Sequence, residues 1–110
     1  TMVIVHIETP EAVANLEEMV QVPGVDVFFI GPTDLSYSLG YPGEPGRPEV
    51  QAIIARVVRV VRGAGKFVGI MATDVAGAKR YLDMGIQYVA TGDRALFGGA
   101  AQTYLKGIRS

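Results

Sequence analysis

Two acidic residues follow apolar runs at the points where predicted strands end. Asp34 lies in the segment GPTDLS, directly after the β-branched and aromatic run 25–30, and Glu8 follows the run 2–7 in the same way. Ligands of parallel α/β folds bind at the carboxyl ends of the strands, so we expect both acids at one edge of a sheet. Two carboxylates on neighbouring strand ends form a hard oxygen site suited to Mg²⁺ or Mn²⁺, completed by water and substrate oxygens.

Structural roles are open for the same residues. In this alternative, Asp34 does no more than accept hydrogen bonds from the amides of a tight proline turn. Glu8 then does no more than place a negative charge at a helix N-terminus. His6 is the single histidine and lies two residues before Glu8, so both side chains point to one face of the strand. His6 could act as a base or a ligand, and the alternative is an imidazole packed in the core. Asp74 and Asp93, which also follow predicted strands, are interpreted as helix caps.

Composition places the chain among ordered globular proteins. Of its 110 residues 49% are hydrophobic and 19% charged, which predicts one domain over residues 1–110. The net charge is −1 with scattered basic residues, so neither nucleic acid nor an anionic membrane is expected as a partner. The absence of cysteine excludes disulfides, thiolate metal sites and a thiol nucleophile, and it favours the cytoplasm.

The amino-terminal segment and the apolar runs predict neither export nor a membrane span. No basic region followed by an apolar stretch precedes the first strand, and the apolar runs are far shorter than a spanning segment. Thr1 stands before Met2, which we expect to be the natural first residue. We therefore expect a soluble cytoplasmic protein.

Four predicted strands alternate with four predicted helices. The strands are expected at 2–7, 25–30, 67–71 and 86–90, and the helices at 9–23, 48–63, 74–84 and 96–108. The segment 31–47 is rich in glycine and proline and is predicted to be a long loop. Strict alternation implies right-handed βαβ units and a parallel sheet, which is an α/β fold equal to half of a (β/α)8 TIM barrel.

Local signals predict how several helices begin, end and face solvent. Thr9 is expected to cap the first helix, and Gly85 to end the third. The arginines of the second helix, at 56, 59 and 62, are expected on a solvated face. The last helix carries a broad apolar face at positions 96, 97, 100, 101, 104, 105 and 108.

Several motifs together resemble the HpcH/HpaI aldolase and citrate lyase family. They are VHIETPEAV at 5–13, VPGVD at 22–26, GPTDLS at 31–36 and LGYPG at 39–43, with continuations at 66–70 and 88–93. The resemblance implies a TIM barrel of the phosphoenolpyruvate/pyruvate-binding type. In the class II pyruvate aldolases of the family it implies reversible cleavage of 4-hydroxy-2-oxo acids to pyruvate and an aldehyde.

The resemblance also implies roles for particular residues. Glu8 and Asp34 correspond to the carboxylate ligands of a divalent metal, Mg²⁺ or Mn²⁺, with Co²⁺ as a third choice. The metal would chelate the 2-oxo acid and stabilise the enolate formed on cleavage. Gly31 and the backbone amides of Thr33 and Asp34 would hold the substrate carboxylate. His6 is the candidate catalytic residue, at a position where the family aldolases more commonly carry glutamine.

The resemblance covers only the carboxyl-terminal half of the family barrel. The family's substrate-binding arginine and histidine base belong to the amino-terminal half, so no residue of this sequence takes those roles. We therefore expect a metal half-site that binds a small 2-oxo acid such as pyruvate, weak or no cleavage by the chain alone, and a homo-oligomer that closes the barrel. The alternatives are a non-enzymatic binder of metal or oxo acid and an inert half-barrel that needs a partner chain.

Overall fold

A computed structural model describes residues 1–110 and has a single parallel sheet of four strands. The strands are β1 (Ile4–Ile7), β2 (Val27–Ile30), β3 (Phe67–Met71) and β4 (Tyr88–Ala90). They lie in chain order, and each pairs in parallel with the next. The predicted α/β architecture, half of a TIM barrel with four parallel βα units, is confirmed.

Six helices connect and follow the strands, and none of them has the length and apolar character needed to cross a membrane. They are α1 (Pro10–Ala14), α2 (Leu16–Met19), α3 (Pro32–Ser38), α4 (Pro48–Gly63), α5 (Val75–Asp83) and α6 (Asp93–Arg109). The predicted bounds of the second helix and of the third strand are confirmed. The other strands are two residues shorter at their amino ends, because the regular parallel register begins only at Ile4, Val27 and Tyr88.

Two sequence predictions about helices are wrong. The single helix expected over 9–23 is two short helices, because the backbone of Asn15 leaves the helical conformation between them. The segment 31–47 is not all loop, since α3 occupies its first part. Pro32 stands at the first helical position and Asp34 in the first turn, where a fixed φ and a negative charge both favour a helix. The glycines and prolines that follow α3 favoured the prediction of a loop for the whole segment.

One face of the sheet packs against the helices and forms the core. Ile7, Phe28 and Ile70 are fully buried there, and Val57 of α4 is buried against them. Side chains alternate along a strand, so the residues between these positions point to the opposite face, which is the interior of a closed barrel. The core is therefore built on the outer side of the half-barrel.

The inner face of the sheet and α6 lack comparable cover. Phe67 is 53% exposed and Met71 and Tyr88 are also exposed on the inner face. No residue of α6 is buried, although its apolar face includes Phe97 at 79% exposure. These two surfaces hold most of the large apolar side chains that the fold leaves exposed.

Arg56 corrects the expectation that the arginines of α4 form a solvated face. Its guanidinium donates to the carbonyl of Val13 at 2.8 Å and pairs with Glu17 at 2.5 Å, so it connects α4 to α1 and α2. A backbone N–H holds the pKa of Glu17 below its usual value, and the Arg56 guanidinium lowers this pKa further. Arg59 and Arg62 are exposed as expected.

The predicted caps of the first and third helices are present. The Thr9 hydroxyl accepts from the N–H of Ala12 at 3.1 Å. The Asp74 carboxylate accepts from the N–H of Gly77 at 2.6 Å. Gly85, with φ +93°, ends α5, because only glycine enters this left-handed region without strain.

Removing the Asp74 cap should lower the free energy of unfolding. We expect Asp74→Ala to cost about 1 kcal/mol, the usual loss when an N-cap acceptor is removed. The matched control is Thr73→Ala, one residue earlier, whose exposed side chain caps nothing and whose loss should stay within about 0.5 kcal/mol. Urea unfolding of both variants at one protein concentration makes the comparison. Equal losses would show that the Asp74 contact contributes nothing.

Candidate metal site

Glu8 and Asp34 converge on the backbone of Gly31. Ile7 pairs with Ile30, so Glu8 lies beside Gly31 one residue beyond both strands. A Cβ placed on Gly31 would be 3.1 Å from Oε2 of Glu8 and 3.4 Å from Oδ2 of Asp34. Any larger residue would fill the space that the two carboxylates face. The absence of a side chain at Gly31 therefore lets two acids from different strands share one site.

Hydrogen bonds of α3 hold Asp34 in this position. The fully buried Ser36 donates through its hydroxyl to the carbonyl of Thr33 at 2.6 Å, within the first turn. The Ser38 hydroxyl donates to the carbonyl of Glu8 at 3.2 Å, which ties the end of α3 to the backbone of the other acid. The helix that sequence analysis missed is thus the element that joins the two carboxylates.

Neither carboxylate accepts a hydrogen bond from a backbone N–H group. Backbone N–H groups donate to the carboxylates of Asp26, Asp74 and Asp93, but none donates to that of Asp34. Glu8 has its side-chain contact with His6, not with the start of α1, whose cap is Thr9. Both carboxylates remain available to a ligand.

His6 is not a packed core imidazole. Its side chain is 59% exposed on the inner face, and its Nδ1 lies 3.5 Å from Oε2 of Glu8. The imidazole stacks on the Phe29 ring with a centroid distance of 5.4 Å and an interplanar angle of 29°. His6 therefore reaches the same carboxylate oxygen that faces Gly31.

The donor set fits a cation that keeps part of its water shell. No three His, Asp or Glu side chains come together as metal ligands. Mg²⁺ in proteins is commonly bound by one or two carboxylates, with water and substrate oxygens in the remaining positions. Glu8 and Asp34, converging where a Cβ is absent, provide that pair.

The other two strand-end acids lie outside the site. Asp74 is the N-cap of α5, as interpreted from the sequence. Asp93 is the first residue of α6 and not its cap, which is Gly92. Its carboxylate accepts from the neighbouring N–H of Arg94 at 2.8 Å.

A row of four residues beneath the carboxylates was not predicted from the sequence. His6 pairs in register with Phe29, Phe29 with Gly69, and Gly69 with Tyr88, so these four residues cross the inner face in one line. A glycine in a strand interior often marks a close approach by another group. In the sequence, Gly69 was the one sign of such a close approach. Which side chain approaches it depends on the order of the strands in the sheet.

The sequence matches a known protein family over most of its length. Residues 1–96 match the family model described as HpcH/HpaI aldolase/citrate lyase. The chain belongs to the HpcH/HpaI aldolase/citrate lyase family. A 4-hydroxy-2-oxo-heptane-1,7-dioate aldolase of Shigella sonnei is 48% identical over 101 residues, which are 91% of this chain and 38% of the relative.

Solved structures of HpcH/HpaI and related proteins superpose closely on the chain. A family protein from Burkholderia cenocepacia has a TM-score of 0.95 and 36% identity, over 100% of this chain and 43% of its own. The citrate synthase SbnG has a TM-score of 0.88 and 27% identity, over 98% of this chain and 44% of its own. The chain therefore spans less than half the length of the relatives it matches.

Proposed function

We propose that this chain provides the metal-binding half of an HpcH/HpaI active site that cleaves 4-hydroxy-2-oxo acids to pyruvate and an aldehyde. The convergence of Glu8 and Asp34 on Gly31 carries the proposal. Family membership supports it, as does similarity to a relative named for an aldolase of a 4-hydroxy-2-oxo acid. We treat residues 1–110 as one half-barrel domain in the cytoplasm.

Glu8 and Asp34 would hold Mg²⁺ or Mn²⁺, with Co²⁺ as a further candidate. Their hard oxygens and the absence of thiolates favour these ions. When bound, the cation would polarise the keto oxygen of the substrate and stabilise the negative charge that develops on carbon–carbon cleavage. The role of the chain is to fix both carboxylates at one point before substrate arrives.

The first turn of α3 would bind the substrate carboxylate. The N–H groups of Thr33 and Asp34 lie at the start of this helix, where backbone donors have no intrahelical acceptor. Gly31 leaves the approach open, because it places no side chain between these donors and the carboxylate pair. We propose His6, which faces the same space, as the group that moves a proton at the substrate.

The arginine and the base that the family resemblance implies would come from another polypeptide segment. The exposed inner face and the uncovered α6 support association with a second half-barrel, and a homo-oligomer would close the barrel without supplying the arginine or the base. We therefore propose a 2-oxo acid such as pyruvate and a further copy of the chain as partners, and neither nucleic acid nor a membrane.

Calorimetric titration with Mn²⁺ in the presence of oxalate tests the metal site on which the proposed function depends. We expect the wild-type chain to bind, and both Glu8→Gln and Asp34→Asn to weaken binding at least about tenfold, because each removes a charged oxygen ligand. Asp83→Asn, an exposed acid at the end of α5, is the matched control and should bind as wild type does. Identical titrations for all four proteins would remove the site.

A further inference from the structure

The Phe29 ring occupies a slot that exists only because residue 69 is glycine. A Cβ on Gly69 would lie 2.6 Å from Cδ2 of Phe29 and 3.0 Å from Cδ1 of Tyr88. Real Cβ atoms do not approach carbon so closely, so any other residue would displace one of the rings. The backbone of β3 thus forms the floor on which the Phe29 ring rests.

The two neighbours of Phe29 close the slot from both sides. Tyr88 meets the ring edge to face, with centroids 6.0 Å apart and an interplanar angle of 76°. His6 lies against the other side, nearly parallel to the ring at 5.4 Å. Both arrangements are favoured geometries for aromatic pairs. Phe29 therefore has one well-defined position between β1 and β4.

His6 has few other contacts that could fix its orientation. Its side chain is largely exposed and takes part in no hydrogen bond with the backbone, and its polar contact is Glu8 at 3.5 Å. Without the Phe29 ring the imidazole would be free to leave the carboxylate. The stack is the contact that holds Nδ1 of His6 next to Oε2 of Glu8.

We propose that Phe29 is a positioning residue: seated by Gly69 and Tyr88, it holds His6 against Glu8 and thereby orients one of the two carboxylates of the site. This inference rests on the proposed function, in which Glu8 binds the cation. Groups that contact a metal ligand and fix its orientation change metal affinity by about tenfold to a hundredfold when removed. Phe29 acts through His6 and is not itself assigned contact with the substrate.

The signals of the single histidine provide a direct test. In wild type the ring protons of His6 should be shifted upfield in the NMR spectrum by the Phe29 ring beneath them. Phe29→Leu should move these signals toward their positions in the urea-unfolded chain and weaken Mn²⁺ binding about tenfold. Phe29→Tyr keeps the aromatic ring, so it should retain both the upfield shift of the His6 signals and the wild-type affinity for Mn²⁺.

Phe67→Leu is the matched control. Phe67 is an aromatic residue on the same inner face, but it lies outside the row and forms no aromatic pair with His6. It should leave the histidine signals and the Mn²⁺ affinity unchanged. Should Phe29→Leu fail to fold by circular dichroism, Tyr88→Leu opens the slot from its exposed side and should shift the histidine signals in the same direction.

The outcomes separate this inference from the function it rests on. Unchanged histidine signals in Phe29→Leu, or shifted signals with unchanged Mn²⁺ affinity, would overturn the positioning role. A wild-type chain that binds no Mn²⁺ would contradict the proposed function alone. In that case the response of the histidine signals to Glu8→Gln decides the positioning: a shift supports the His6–Glu8 contact, and no shift refutes it.

Discussion

Phe28→Ala is expected to destabilise the folded chain by about 3–5 kcal/mol, the usual cost of emptying a buried aromatic position. Phe28 is fully buried and lies on β2, the second strand of the sheet. It pairs with Val5 of β1 and Val68 of β3, so its loss leaves a cavity between the sheet and its helices. Urea unfolding at a fixed protein concentration measures the change.

Tyr37→Ala provides the comparison for this loss. Tyr37 lies on α3 and is 62% exposed, so removing its ring should change the free energy of unfolding by no more than about 0.5 kcal/mol. If both variants lost the same amount, the core would not be centred on the outer face of the sheet. Fixed concentration matters because any association would add to the apparent stability.

The isolated 110-residue chain is expected to associate, since two apolar surfaces remain uncovered. Its radius of gyration is 15.7 Å, against about 13 Å for a compact domain of this length. Its accessible area is 6971 Å², against about 5,900 Å² for a monomer of this mass. Burying about 1,000 Å² of apolar surface would yield on the order of 25 kcal/mol before association entropy and ordering are subtracted.

Sedimentation equilibrium at micromolar concentration should find a species of at least twice the monomer mass of 11.7 kDa. Phe67→Asp should weaken association if two inner faces close a barrel, whereas Phe97→Asp should weaken it if α6 mediates the contact. Tyr37→Asp, on an exposed aromatic residue elsewhere, should have no effect. A single 11.7 kDa species with a cooperative thermal transition would refute the prediction.

The sequence predicted the strand and helix order because the strands are short, strongly β-branched runs separated by helical periodicity. It failed at α3, where Pro32 and Asp34 were read as parts of a turn although both suit a first helical turn. The long stretch of glycine and proline after this helix outweighed two local signals. The predicted first residues of β1, β2 and β4 were also wrong, because the start of a strand depends on its register with the neighbouring strand.

The candidate site was partly accessible from sequence. Glu8 and Asp34 could be predicted since each directly follows a strand, and parallel strands bring their carboxyl ends together. The space at Gly31 and the slot at Gly69 could not be predicted, because each depends on which residue lies opposite in the next strand. The exposure of His6 could not be predicted either, because it depends on an inner face of the sheet against which no other element of the chain packs.

Anomalous diffraction from crystals grown with Mn²⁺ and oxalate tests the proposed metal site most directly. We expect an anomalous peak beside Gly31, from an ion bonded at about 2.1 Å to one oxygen of Glu8 and one of Asp34. Oxalate should occupy further positions around the ion, next to the first turn of α3. A map with Mn²⁺ bound elsewhere, such as at Asp74 or Asp93, and no peak between Glu8 and Asp34 would rule out the proposed metal site.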